Sequence, residues 1–156
     1  MPEGFERESF FVLTVGVLLV GVSLTIHSCF MFAILKSQAW LKRGPLSKAR
    51  GAFFLVPSIL LATLFIAVSS LVEITLWAQV LWHMGPFDGF LEAMYFSSTT
   101  YTTLGTAKHV LVPPYRTLEP MEAAAGMLAS GLNTATLFAI LANMGRGRSG
   151  FDEFFR

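Results

Sequence analysis

One polar stretch, residues 94–108, constrains this chain more than any other. It reads Met94-Tyr95-Phe96-Ser97-Ser98-Thr99-Thr100-Tyr101-Thr102-Thr103-Leu104-Gly105-Thr106-Ala107-Lys108 and lies between long apolar runs. It is too polar to be a membrane span. Hydroxyl side chains crowd its second half and stop at a glycine. The pattern predicts a short helix that enters a membrane, ends part-way and returns as extended chain. Irregular backbone at that depth persists only where protein buries it or where it lines a watery cavity. A ring of such segments can replace an ion's hydration shell with carbonyl and hydroxyl oxygens.

The rest of the sequence places that stretch in a membrane. Of 156 residues, 54% are hydrophobic and 13% charged, too apolar for an ordinary soluble domain, and a single membrane domain is expected. A net charge of +1 gives no case for a nucleic-acid partner. The opening residues, with Glu3, Glu6 and Glu8 against Arg7, do not fit a secretory signal, which begins with positive charge. Cys29, the single cysteine, matches no disulfide or metal spacing. It is expected as a small packing residue.

Three runs are long enough to span, since a spanning helix needs about 20 residues. The first is predicted over about 10–35, with His27 as a packed, hydrogen-bonded residue facing another helix. A basic loop follows over 36–50, with Lys36, Lys42, Arg43, Lys48 and Arg50 and a turn at Gly44-Pro45. Trp40 in it suits an interface. Positive charge in a short loop marks the cytoplasmic side and suits anionic lipid head groups.

The second span is predicted over about 52–82, with Pro57 near its start and Trp77 and Trp82 in an aromatic belt at its far end. A carboxylate inside a span is costly and needs a partner. Glu73 is therefore expected to anchor the re-entrant segment rather than to bind an ion.

Residues 83–86 break the second helix, and a short helix is predicted over about 88–100. Asp88 and Glu92 suit the positive end of its dipole, and its far end directs partial negative charge inward, favouring a cation. The third span is predicted over about 118–143, followed by a short tail. Its small residues allow close packing, and Gly126 or Gly131 could permit a bend. Ser130, Asn133 and Thr134 share one face by helical spacing. They either line a wetted central cavity or make interhelical hydrogen bonds.

This order is consistent with an acidic N-terminus outside, the basic loop inside, re-entry from outside and a cytoplasmic C-terminus bearing Arg146 and Arg148. The fold expected is an all-α membrane protein with three transmembrane helices and a re-entrant helix and loop before the last.

The run Phe90-Leu91-Glu92-Ala93-Met94-Tyr95-Phe96-Ser97-Ser98-Thr99-Thr100-Tyr101-Thr102-Thr103-Leu104-Gly105 resembles the pore helix and selectivity filter of the potassium-channel superfamily, closest to its small bacterial two-pore-type members. Glu73-Ile74-Thr75-Leu76-Trp77, Glu119-Pro120-Met121-Glu122-Ala123 and Thr134-Ala135-Thr136-Leu137-Phe138-Ala139 look like the flanking helices of that family, so the resemblance covers about 70–142. It implies a homotetramer in a lipid bilayer, here a bacterial inner membrane, with a central pore for K+ or Na+ and no cofactor. The filter would run through Thr102, Thr103, Leu104, Gly105 and Thr106. A monovalent cation would sit at Thr103, Leu104 and Gly105. Tyr101, Glu92 and Glu73 would support the filter, with Thr102 also bracing it from behind.

The sequence departs from that family where Tyr-Gly-Asp is expected after Gly105 and Thr106-Ala107-Lys108 stands instead. The bracing ring is lost, alanine tolerates positive φ far less well than glycine, and Lys108 reverses charge at the outer mouth formed with Ala107. Potassium selectivity is therefore not carried over. The alternative expectation is a non-conducting structural or interaction subunit of a larger membrane complex, bound to other membrane subunits. An enzyme is not expected: His27, Cys29 and Glu73 are the candidates for chemistry, and no spacing unites them.

Overall fold

Apolar residues on every face, rather than on one stripe, make a helix that is buried in protein or lipid all round. The long runs of this chain form such helices. The structure, a computed structural model of the chain, describes residues 3–43, 52–105 and 110–145. Its elements are α1 (Glu3–Arg43), α2 (Ala52–Met84), α3 (Phe90–Tyr101), a 3-10 turn at Tyr115–Thr117, and α4 (Leu118–Gly145). Among the described residues there is no strand. Three segments are long and apolar enough to cross a membrane: Phe5–Leu41, Val56–Met84 and Tyr115–Ala142. With 12 residues, α3 rises only about 18 Å, short of a hydrocarbon core of about 30 Å.

Helix α1 overruns the expected 10–35 at both ends. Lys36, Lys42 and Arg43 are therefore helical, not part of a loop. Lysine, arginine, alanine and leucine propagate a helix well, and no breaker precedes Gly44-Pro45. Lys48 and Arg50 lie outside the described residues. Helix α3 starts later than expected: Gly89 is its extended N-cap, so Asp88 precedes the helix and Glu92 falls in its first turn.

The chain divides into two compact units, Met1–His27 with Ser69–Ala129, and Ser28–Val68 with Ser130–Arg156. The first has the larger core. It gathers Val12 and Leu19 of α1, Trp77 and Leu81 of α2, Ala93 and Phe96 of α3, and Leu118 and Ala125 of α4. The short helix is thus packed against all three long ones. Trp77 corrects an expectation. It is fully buried, not part of an interfacial belt, and its indole N–H donates to Ser23 Oγ at 3.0 Å. A buried indole is tolerated when its N–H finds a partner, and α1 supplies one. In the second unit, Ile34, Ala62 and Ile140 form a smaller core, and Gln38 donates to the Ser58 carbonyl at 2.9 Å.

Cys29 is exposed, contrary to the expected packing role. It lies two residues beyond buried His27, about 200° round the helix, and so faces away from that core.

Gly126 explains how α3 fits. A methyl group on it would overlap the Tyr101 carbonyl oxygen. The residue serves a close approach of two backbones, the role small residues play between membrane helices. No atom lies within 4 Å of a methyl group placed on Gly131. Gly126→Ala is therefore expected to destabilise the fold by about 1–3 kcal/mol through overpacking, whereas Gly131→Ala is expected to be neutral or slightly stabilising. Thermal melting of the two purified variants in detergent checks the contrast.

Candidate functional site

The site is built where α3 ends. Tyr101, the last residue of α3, is 6% exposed. Its hydroxyl donates to Glu73 Oε2 at 2.9 Å. The other oxygen, Oε1, lies 2.8 Å from His27 Nδ1. In the tautomer with its proton on Nδ1, His27 donates to that oxygen. Glu73 is fully buried and His27 1% exposed, so one carboxyl ties α1, α2 and the end of α3 together. Burial, and then the adjoining Glu73 carboxylate, push the Tyr101 phenol above its ordinary range. Tyr101 therefore remains the donor.

Beyond Tyr101 the backbone turns sharply. Thr102 caps the helix at φ −82° and ψ 3°, Thr103 has φ 59° and Gly105 φ 71°. Glycine usually fills the left-handed position just past a helix. A β-branched residue there is a genuine outlier, held at a cost of order 1–3 kcal/mol. Hydrogen bonds hold it: Thr103 N–H donates to the Thr100 carbonyl at 2.9 Å, Gly105 N–H to the Thr99 carbonyl at 2.9 Å, and Thr102 N–H to the Ser98 carbonyl at 3.3 Å.

The hydroxyls turn the same way. Thr102 Oγ1 donates to the Ser98 carbonyl at 2.7 Å, Thr99 Oγ1 to the Phe96 carbonyl at 2.9 Å, and Ser98 Oγ to the Met94 carbonyl at 2.7 Å. The N–H groups of Thr102, Thr103 and Gly105 and the Thr102 hydroxyl are thereby spent on the helix that precedes the turn. Among the described residues, no backbone donor reaches the carbonyls of Thr102, Thr103, Leu104 or Gly105. What the turn offers is acceptors, at the negative end of a helix dipole. Such a surface suits a cation and not an anion.

The other expected site residues fall into four groups. Thr102, Thr103, Leu104 and Gly105 are exposed in the single chain, Leu104 to 79%. Thr106, Ala107 and Lys108 lie outside the described residues. Glu92 is not brought to the turn. It is exposed in the first turn of α3, at the opposite end of that helix. In the second unit, Ser130 and Thr134 are exposed and Asn133 is half-buried. Thr134 Oγ1 donates to the Ser130 carbonyl of its own helix at 3.0 Å.

His27 and Glu73, which no sequence spacing united, are in direct contact, and exposed Cys29 is no part of the pair. No group of three or more His, Cys, Asp or Glu side chains able to hold a metal occurs among the described residues.

Sequence reasoning missed Glu122. It enters the sequence reading only within the run Glu119–Ala123, yet it is fully buried, and neither carboxyl oxygen has a hydrogen-bond partner of good geometry. The signal was present: it is a carboxylate inside an apolar run, as Glu73 is.

No protein-family model, curated protein or solved structure matches the chain.

Tyr101→Phe keeps the ring and removes the hydroxyl. It leaves Glu73 Oε2 buried without its donor, at an expected cost of about 1–3 kcal/mol. The measurement is the melting temperature of the purified variant, expected to fall by about 2–4 °C for each kcal/mol lost in a chain of this size.

Proposed function

We propose that this chain is one subunit of a pore-loop channel that passes monovalent cations, K+ and Na+, passively through a homotetramer in a bacterial inner membrane. The observation that carries this reading is the turn at Thr102–Gly105, where the N–H groups of Thr102, Thr103 and Gly105 bond back to α3 and the carbonyls are left as acceptors. A helix too short to cross a bilayer delivers that turn, and helices long enough to cross one flank it. In this reading α3 is the re-entrant helix. One exposed turn cannot replace an ion's hydration shell, and a ring of turns can. Thr103, Leu104 and Gly105 then supply the cation site, and Tyr101 with Glu73 holds it from behind. Ser130 and Thr134, exposed in the single chain, are wetted in this reading. The N-terminus lies outside and the arginine-bearing C-terminus in the cytoplasm. Large apolar side chains on the chain's surface, such as Phe10, Phe32, Leu60 and Leu91, meet lipid or neighbouring copies.

Thr106-Ala107-Lys108 favours a second reading, in which the scaffold is kept as a non-conducting subunit of a membrane complex. Cation flux into liposomes separates the two. Native protein is compared with a variant carrying Thr106→Tyr, Ala107→Gly and Lys108→Asp. The channel reading expects K+ and Na+ flux with poor discrimination from the native protein, sharpened toward K+ in the variant. Native silence with a conducting variant supports the second reading. Silence from both folded proteins overturns the pore.

A further inference from the structure

Glu122 stands in the second turn of α4 and is fully buried. Ser97 of α3 lies close enough to act on its carboxyl. Beyond that contact, which is looser than a formed hydrogen bond, both Glu122 oxygens and Ser97 Oγ are buried without a partner. Gly126, one turn further along α4, meets Tyr101, one turn further along α3. The two contacts fix the register and show that α3 and α4 run in the same direction here. Thr100, three residues after Ser97, shares that face of α3, and its Oγ1 is also buried and unpartnered. A bare carboxylate in such surroundings is too costly to persist, so it is neutralised or paired.

The charged and titratable groups around it offer no pairing. Glu119, on α4 itself, is another acid that acts on Glu122. From α3 comes Tyr101, whose hydroxyl is committed to Glu73 of α2. His27 of α1 is committed to the same Glu73, and the other α1 residues in this core include Val12, Val15 and Leu19. None of these brings a free cation to Glu122.

We infer that Glu122, with Ser97 and Thr100, forms a buried site for one positive charge, either a proton or an alkali cation. The site joins α4 to α3 four residues before Tyr101. It does not depend on whether the chain conducts.

The test is the melting temperature of the purified chain in detergent, wild type beside Glu122→Gln, from pH 5 to 9. It is run in choline chloride and then in NaCl, KCl or LiCl. A bound proton makes the wild type melt lower as pH rises, because the folded chain then holds a proton that the unfolded chain releases. Alkali salts leave that fall unchanged. A bound alkali cation raises the wild-type melting temperature at high pH by mass action, and choline does not.

Either response is expected to reach about 2–4 °C and to vanish in Glu122→Gln, which is neutral without a ligand. Equal responses in the two proteins overturn the site. Should Glu122→Gln fail to fold, Ser97→Ala takes its place. There a weaker alkali response, or a steeper fall with pH because the hydroxyl that favours the carboxylate is gone, supports the site, and an unchanged response overturns it.

Discussion

A helix that stops part-way across a membrane, as proposed for α3, must satisfy its last backbone groups locally. That constraint governs the end of α3. The hydroxyls of Ser98, Thr99 and Thr102 bond back to carbonyls of the last turns. Thr103 takes a left-handed conformation, and Gly105 reaches back to Thr99. Each step consumes a donor of the turn, so the acceptors that remain are a consequence of how the helix is stopped. The hydroxyl-rich composition is thus first a solution to a backbone problem, and only through that a candidate ion surface.

Polar contacts also settle how the long helices meet. A helix that is apolar on every face can slide or rotate against its neighbour with little change in buried area. Two helices in lipid gain no hydrophobic advantage from one arrangement over another. The first unit breaks that degeneracy with few groups. Trp77 finds Ser23, and Glu73 finds both His27 and Tyr101. A slip of one turn would leave each buried without a partner, so these bonds specify register more than they add stability.

How much of this was legible in the sequence depends on how local each signal is. The three long runs and the short helix could be read because length, hydropathy and the breakers at Gly85-Pro86 are local properties. The cost of burying Glu73 was legible too. The identity of its partners was not, because His27 and Tyr101 lie 46 and 28 residues away and only packing brings them together. Trp77 looked like a belt residue because tryptophan favours both interfaces and cores, and Ser23 decides between them. Cys29 was misplaced because composition does not say which way a residue faces on a uniformly apolar helix. The overrun of α1 followed from reading basic residues as loop when they are good helix formers. Glu122 went unread because it sat close to a helix start, where an acid needs no explanation.

The contact between Gly126 and the Tyr101 peptide has a mechanical consequence. Most helix contacts pass through side chains, whose rotamers absorb small displacements. Here main chain rests on main chain, so this point of contact has no such compliance. A tilt of α4 at Gly126 is handed on undiminished to the peptide just before Thr102. The joint behaves as a rigid bearing, and the geometry of the acceptor turn is slaved to the position of the last helix.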